Sequence, residues 1–303
     1  MMGPIMRSTV DPGRLAKAPR RGSRCRFSVV TVAAALLVFA TGVKLSVGVA
    51  NAQPATVPEI RPGFLQGYLS PEGRPNSLAL LPSPPSSGSA ALALDEEVSR
   101  EKLGLRGTPR WQLAAEDADL MFPHAAGTFS CALNASITEQ DTPRLYMLMR
   151  RSLADAGLST YPAKEHYKRA RPFVLNKEPT CTPDKETQLR SEGSYPSGHA
   201  AVGWAWALIL SEIAPDQTDA ILKRGLAFGQ SRVVCNAHWE SDVIEGRLVG
   251  AAAVARLHGD STFLDDLAAA KVEFTAIRAK GDKPVRDCQA ETAAIALDPA
   301  RAP

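Results

Sequence analysis

The sequence predicts an all-α protein with a single compact helical domain over about residues 91–280. From about Leu92 onward, apolar residues recur at helical spacing, and no sustained alternation typical of strands is seen. Residues 200–213 are apolar nearly all round, which is typical of a central buried helix. The chain of 303 residues, 45% hydrophobic and 22% charged, fits such a domain and excludes collagen, a long coiled coil and wholesale disorder.

Two further helices are predicted from their first turns and their apolar spacing. Pro143 is expected to open one helix with Thr142 as its cap, since proline is favoured at the first helical position. Its apolar residues would be Leu145, Leu148 and Leu153. A second helix is expected to be capped by Ser261 or Thr262 and to bury one stripe. That stripe consists of Phe263, Leu267, Ala270, Phe274 and Ile277.

Segments of different composition flank the domain. Residues 53–90 are rich in Pro, Ser and Gly, with eight prolines between Pro54 and Pro85, and are expected to form an extended, surface-wrapping or mobile arm. Residues 281–303 are expected to form a frayed C-terminal tail.

The first 52 residues predict a secretory signal peptide. Seven Lys or Arg residues precede Phe27, and residues 27–43 carry no charge. Ala50-Asn51-Ala52 then provides small residues at the positions that a signal peptidase requires, which predicts cleavage after Ala52 and a periplasmic or secreted protein. An uncleaved membrane anchor is the alternative, because the apolar segment is slightly long.

Charge and cysteine content limit the partners of the mature chain. The net charge is +3, but residues 1–52 carry eight basic residues and one acid, so the rest has a net charge of −4. A mildly acidic body argues against nucleic-acid binding. No later stretch is long and uncharged enough to span a membrane, so no stable membrane association is expected once the signal is removed.

Four cysteines remain after signal cleavage, and an even number in an exported chain predicts disulfides. Three pairings are open, and metal ligation is disfavoured because no two of them have CxxC-like spacing. They are Cys131, Cys181, Cys235 and Cys288.

The segment Pro196-Ser197-Gly198-His199 opens the predicted central helix. Ser197 is a favourable N-cap, and Gly198 permits close backbone approach. Free amides at a helix start, with the helix dipole behind them, bind anions such as phosphate. His199 would then lie beside the bound anion. The alternative is an ordinary capped helix that carries one histidine.

A second segment places His238 and Asp242 four residues apart, so that they would share one face of a helix. A carboxylate that accepts from one imidazole N–H fixes the tautomer and leaves the other nitrogen as a nucleophile or base. The alternative is a purely structural pair. Arg171 and Arg232 offer planar forks that match phosphate oxygens, and Lys164 adds a point charge.

Together these residues form one signature: Lys164-x6-Arg171-Pro172, then Pro196-Ser197-Gly198-His199, then Ser231-Arg232-x5-His238-x3-Asp242. It resembles that of the type 2 phosphatidic acid phosphatase/vanadium haloperoxidase superfamily. The greatest resemblance is to the class A bacterial non-specific acid phosphatases, over roughly residues 80–275. Asn236 and Ala237 lie in the variable part of the signature.

The resemblance implies a role for each matching residue. His238 would be the nucleophile that forms a phosphohistidine, Asp242 would orient it, and His199 would be the general acid. The phosphoryl oxygens would be held by Lys164, Arg171, Ser197, Gly198 and Arg232. Arg169 would either support this site from behind or be a solvated surface charge.

These roles predict an acid phosphatase that hydrolyses small phosphate monoesters. No cofactor and no metal are expected, because two arginines, one lysine and backbone amides can neutralise the phosphoryl charge. The resemblance also implies a homodimer. The main alternative is a vanadate-dependent haloperoxidase on the same fold; a lipid phosphatase and a non-catalytic phosphate-binding protein are others.

Overall fold

The computed structural model describes residues 57–298; the expected signal peptide and its cleavage point lie outside this range. Within it the predicted all-α fold is confirmed, with one short antiparallel pair of strands, β1 (Glu59–Arg61) and β2 (Phe64–Leu65). The helices in chain order are α1 (Ser77–Leu80), α2 (Ala90–Leu103), α3 (Pro109–Glu116), α4 (Ser130–Leu133), α5 (Pro143–Leu158), α6 (Tyr161–Tyr167), α7 (Pro172–Asn176), α8 (Glu186–Ser191), α9 (Gly198–Ile213), α10 (Thr218–Val234), α11 (Glu240–Leu257), α12 (Ser261–Lys280) and α13 (Cys288–Ala296).

Helix α9 is the buried centre of the fold, as predicted from its apolar sequence. It packs against α5, α10 and α11, and α12 packs against α5. Trp206 of α9 is fully buried, and its indole N–H donates to the Met149 carbonyl at 3.0 Å. The predicted stripe of α12 is buried at every position.

Two glycines of α11 allow its backbone to approach α9 closely. A Cβ atom at Gly246 would lie 2.4 Å from the Ser197 carbonyl oxygen, and one at Gly250 would lie 2.3 Å from that of Ala201. Neither oxygen can move without disturbing α9. The absence of a side chain at these two positions therefore lets the first turn of α9 lie directly against α11.

The capping residues differ from the sequence prediction at two helices. Thr142 occupies the N-cap position of α5, but its hydroxyl bonds to Thr138, and the first amides of α5 donate to the Glu273 carboxylate of α12 instead. Helix α12 is capped by Asp260, whose carboxylate accepts from the Phe263 N–H at 2.8 Å. Aspartate is as favourable an N-cap as serine, and it stands one residue earlier.

The described part of the arm wraps the surface of the helices. The backbone N–H groups of Tyr68 and Leu69 donate to the buried Asp155 carboxylate at 2.8 and 3.0 Å. Burial raises the pKa of Asp155 to about 6, although both N–H groups oppose that rise. The Tyr68 hydroxyl also donates to Asp266 of α12.

Residues 281–298 are not frayed, contrary to the expectation for the segment after Lys280. They include α13, which is joined to α4 by the disulfide Cys131–Cys288; the other disulfide is Cys181–Cys235. Ion pairs, rather than a strong apolar stripe, hold the segment to the domain: Glu291 with Arg224, and Asp298 with Lys102 and Arg110. Among residues 57–298, no helix has both the length and the apolar character needed to cross a membrane.

Replacing Cys131 by Ser should lower the free energy of unfolding by about 2–5 kcal/mol, the usual cost of losing a native disulfide. The bond joins residues 157 positions apart, so its loss frees a long loop in the unfolded chain. Equilibrium urea unfolding followed by circular dichroism measures the change.

The matched control is Cys288→Ser, which removes the same bond from the other side. The double variant should lose no more than either single variant. A loss equal to the sum of the two single losses would contradict a shared bond.

Candidate active site

The starts and ends of five helices meet at one point and bring the predicted site residues together. Lys164 comes from α6, Arg171 is the N-cap of α7, and Arg232 lies in the last turn of α10. The first turn of α9 faces the first turn of α11, because the Ser197 N–H donates to the Asp242 carbonyl at 2.8 Å. His238 lies between α10 and α11.

The contact between His238 and Asp242 forms in a different way from the one predicted. The two residues do not share a helix face, because α11 begins at Glu240. Asp242 instead reaches back from the first turn. Its Oδ2 accepts from the Trp239 N–H at 2.9 Å and lies 3.2 Å from His238 Nδ1.

The hydrogen bonds of His238 fix its tautomer. Arg171 Nη1 lies 2.9 Å from His238 Nε2. A guanidinium can only donate, so Nε2 is unprotonated and Nδ1 carries the hydrogen that Asp242 accepts. Burial, together with Arg171 and Lys164, holds the pKa of His238 well below its usual value. The nitrogen with the free electron pair therefore faces the cations.

Arg169 supports this pair and is not a solvated surface charge. Its guanidinium donates to Asp242 Oδ1 and to Asp95 Oδ2, both at 2.7 Å. Burial raises the pKa of the Asp242 carboxyl, and the Arg169 charge opposes that rise. Sequence reasoning missed Asp95, which also accepts from Ser241, because α2 is brought here only by the fold.

The three predicted phosphate-binding cations are buried, and they differ in how their N–H groups are used. Lys164 donates to the Gly193 carbonyl at 2.9 Å, and Arg171 donates to the carbonyls of Leu189 and Ala237. Arg232 is 2% exposed, and two of its nitrogens, Nε and Nη1, have no hydrogen-bond partner within residues 57–298. Buried polar groups are nearly always paired, so these two nitrogens are free to donate to an acceptor that enters the site.

Burial, and after it the crowding of these cations, lowers the proton affinity of the groups in the site. Burial, with Arg171 nearby, lowers the pKa of Lys164 to about 7. Burial and Arg171 lower the pKa of Arg232 to about 9, and burial and Arg232 hold that of His199 well below its usual value. A bound anion would reverse these shifts, because it stabilises each charged form.

The first turn of α9 has the predicted arrangement. The Ser197 hydroxyl caps the helix by accepting from the Ala200 N–H at 3.2 Å. Among the described residues, a Cβ atom at Gly198 would meet only Thr160 Oγ1, at 3.6 Å, so this position is uncrowded there. His199 Nε2 lies 3.1 Å from the Ala118 carbonyl oxygen, to which it donates, and this leaves Nδ1 for another partner.

The chain that carries His238 is clamped to the segment after α7. Besides the disulfide between Cys181 and Cys235, the side chains of Asn176 and Asn236 exchange two hydrogen bonds, at 2.9 and 3.2 Å. Asn236 adopts a left-handed backbone conformation, with φ of 60°. Sequence reasoning treated Asn236 as variable, and no local pattern could have indicated its distant partner.

A cavity of about 500 Å³ lies on the Lys164 and Arg171 side of these residues. It is also lined by Tyr161, Lys168, Arg190 and Glu192, among others. Neither imidazole of the site lines it, so the cavity adjoins the cluster rather than containing it.

Comparison with known proteins agrees with this geometry. The model of the PAP2 superfamily matches residues 145–262, which include all eight predicted site residues. The chain is 43% identical over 249 residues to a non-specific acid phosphatase of Providencia stuartii, covering 80% of this chain and 98% of that one. It is 43% identical over 211 residues to a non-specific acid phosphatase of Salmonella typhimurium, covering 69% and 84%. It is 39% identical over 207 residues to an acid phosphatase of Zymomonas mobilis, covering 68% and 78%.

The chain therefore belongs to the PAP2 superfamily and, within it, to the bacterial non-specific acid phosphatases. The resemblance to class A enzymes that the signature indicated is confirmed at this level.

Anion binding should take up protons at neutral pH. Sulfate is the suitable probe, because it is a tetrahedral dianion that does not itself titrate there. Its affinity should fall as the pH rises through about 7, where Lys164 loses its proton in the empty site. Calorimetry in two buffers of different ionisation enthalpy measures the proton uptake directly.

Lys164→Met provides the control, since it should remove that part of the uptake and weaken sulfate binding mainly below neutral pH. Sulfate affinity that is independent of pH from acidic to mildly alkaline conditions would contradict the assigned electrostatics.

Proposed function

We propose that this protein is an exported acid phosphatase that hydrolyses small phosphate monoesters through a phosphohistidine on His238, without a metal ion. The observation that carries the proposal is that Nε and Nη1 of Arg232 have no partner in the described part of the chain and are buried in the same cluster as the imidazole of His238. The two disulfides support export to the periplasm or beyond, since such bonds form in oxidising compartments.

Substrate binding uses the charges of the cluster. The phosphoryl oxygens accept from Arg232, Arg171 and Lys164, and from the amides at the start of α9. Three cations and a helix N-terminus supply the charge neutralisation that many phosphoryl-transfer enzymes obtain from Mg²⁺. Arg171 exchanges its bond to His238 Nε2 for one to a phosphoryl oxygen, which frees the electron pair of that nitrogen.

Phosphoryl transfer then proceeds in two steps. His238 Nε2 forms a bond to phosphorus as the bond to the ester oxygen breaks, and the protonated His199 gives its proton to the departing alcohol. The Nδ1–H group continues to donate to Asp242, and the carboxylate stabilises the positive charge that develops on the ring. In the second step the neutral His199 takes a proton from water, whose oxygen bonds to phosphorus as the phosphorus–nitrogen bond breaks.

This order of proton transfers predicts activity at acidic pH. His199 must be protonated for the first step, yet burial and the surrounding cations hold its pKa low in the empty site. A bound phosphate dianion raises that pKa again. Activity should therefore fall on the alkaline side as His199 loses its proton.

His238→Ala should abolish turnover and leave folding intact, because it removes only the nucleophile. Wild-type enzyme quenched with labelled substrate, under conditions that preserve phosphohistidine, should carry label on His238, and the variant should carry none. His166→Ala is a matched control, since His166 is exposed and lies outside the cavity lining.

The same preparations test the rest of the proposal. Activity should survive EDTA, and the vanadate-treated enzyme should not oxidise bromide. Label on another residue, or activity lost to EDTA and restored by a divalent metal, would contradict the mechanism. Bromide oxidation would favour the haloperoxidase alternative.

His199→Ala should lose more activity on an alkyl phosphate than on para-nitrophenyl phosphate, by a further ~10-fold or more. An alkoxide is strongly basic and needs a proton to leave, whereas nitrophenolate needs it much less. His238→Ala should lose activity on both substrates. The comparison uses kcat/KM of each variant on each substrate.

Equal losses for His199→Ala on the two substrates would remove the general-acid role and leave His199 as a phosphate contact only.

A further inference from the structure

We infer that Asp117, which lies outside the signature, is a positioning residue that holds both His199 and Arg232 in place for phosphoryl transfer. The inference rests on the roles proposed above for those two residues. Asp117 directly follows α3 and is 1% exposed. The next residue, Ala118, contacts the proposed acid His199, and the Asp117 carboxylate binds Ser231, which directly precedes the phosphate-binding Arg232.

The carboxylate of Asp117 is bound by two side chains of α10. Arg224 donates from Nη1 at 3.1 Å and from Nη2 at 2.5 Å, and the Ser231 hydroxyl donates at 2.6 Å. Arg224 and Ser231 are seven residues apart and therefore lie on one face of the helix. Ser231 also accepts from Arg110 of α3 at 2.9 Å. The end of α3 is thus fixed to the last three turns of α10.

The first consequence concerns Arg232, which follows Ser231 directly. Asp117 binds the Ser231 hydroxyl and so fixes the backbone of this turn, which sets the position from which the Arg232 side chain extends. Its negative charge also favours the guanidinium, because it opposes the lowering of the Arg232 pKa by burial and by Arg171. A neutral side chain at position 117 would leave Arg232 less firmly placed and less firmly charged.

The second consequence concerns His199. The residue after Asp117 is Ala118, whose carbonyl accepts from His199 Nε2 at 3.1 Å. The carbonyl fixes the ring orientation and favours its protonated form. The other groups that act on His199 are cations or a second imidazole: Arg232 of α10, Arg171 of α7, Lys164 of α6, and His238. Moving the Ala118 carbonyl away would therefore remove a contact that favours the protonated ring and leave that effect to the bound phosphate.

The test compares Asp117→Asn with Glu291→Gln. Both remove one carboxylate charge from the buried surroundings of Arg224, but Glu291 lies on α13 and contacts neither Ser231 nor Ala118. We expect Asp117→Asn to lower kcat/KM by about 10- to 100-fold, the usual cost of a misplaced catalytic group. The loss should be greater on an alkyl phosphate than on para-nitrophenyl phosphate. The alkaline limb of its pH profile should move to lower pH, and sulfate should bind more weakly.

Glu291→Gln should lower the melting temperature and leave the alkaline limb and the ratio between substrates unchanged. Arg224 without Asp117 is a buried charge with one carboxylate fewer, so the single variant could fail to fold. The double variant Asp117→Asn/Arg224→Met removes both charges together and should show the same kinetic changes in a folded protein.

The inference would be overturned if the folded double variant kept the wild-type ratio of kcat/KM between the two substrates and an unmoved alkaline limb of the pH profile. Equal kinetic changes in Asp117→Asn and Glu291→Gln would also overturn it. His199→Ala separates this result from a failure of the proposed mechanism. If it shows the expected dependence on the leaving group and the Asp117 variants do not, only the role of Asp117 fails. If His199→Ala itself shows no such dependence, the general-acid role fails, and the link from Asp117 to His199 fails with it.

Discussion

The structure depends on holding three cations inside an apolar helical bundle, where no acid among residues 57–298 is in direct contact with any of them. Lys164, Arg171 and Arg232 are 7%, 2% and 2% exposed. A buried charge is unfavourable unless it is hydrogen-bonded and balanced. Lys164 and Arg171 donate to carbonyls of the segment before α9, whereas two nitrogens of Arg232 have no partner among the residues that the structure describes. The convergence of helix ends, which supplies carbonyls and amides in one place, makes this arrangement tolerable.

Carboxylates that do not touch the three cations balance their charge from a short distance. Asp242 is held by Arg169, which also binds Asp95 of α2, and Asp117 after α3 is held by Arg224. Because these acids have cationic partners of their own, they lower the electrostatic cost of the cluster without occupying the space for an anion. Helices α2 and α3 add only small apolar contacts, Val98 with Ala200 and Ala114 with Val234, beside the charge of these carboxylates.

The parts of the molecule that were predictable are those with a local pattern. Helix α9, its Ser197 cap and the buried stripe of α12 follow from the order of residues alone. The site residues were identified by their spacing in the signature, and the fold brings them together. The relation between His238 and Asp242 was misjudged because spacing does not reveal where a helix begins.

Features that depend on distant residues could not be predicted. Asp95, Glu273 and the pair Asn176–Asn236 act on residues far away in sequence, and neither their composition nor their neighbours indicate this. Helix α13 was missed because a disulfide and ion pairs hold it, rather than an apolar stripe.

The Cys181–Cys235 disulfide also closes a covalent ring of chain around part of the site. Ser197, His199 and Arg232 lie within the ring; Lys164 and Arg171 precede it, and His238 and Asp242 follow it. A single proteolytic cut in the exposed stretch at residues 183–192 would open the ring without dividing the molecule, because the bond still joins the two fragments. Two covalent routes, the backbone and the disulfide, thus connect the parts of the chain that carry the site residues.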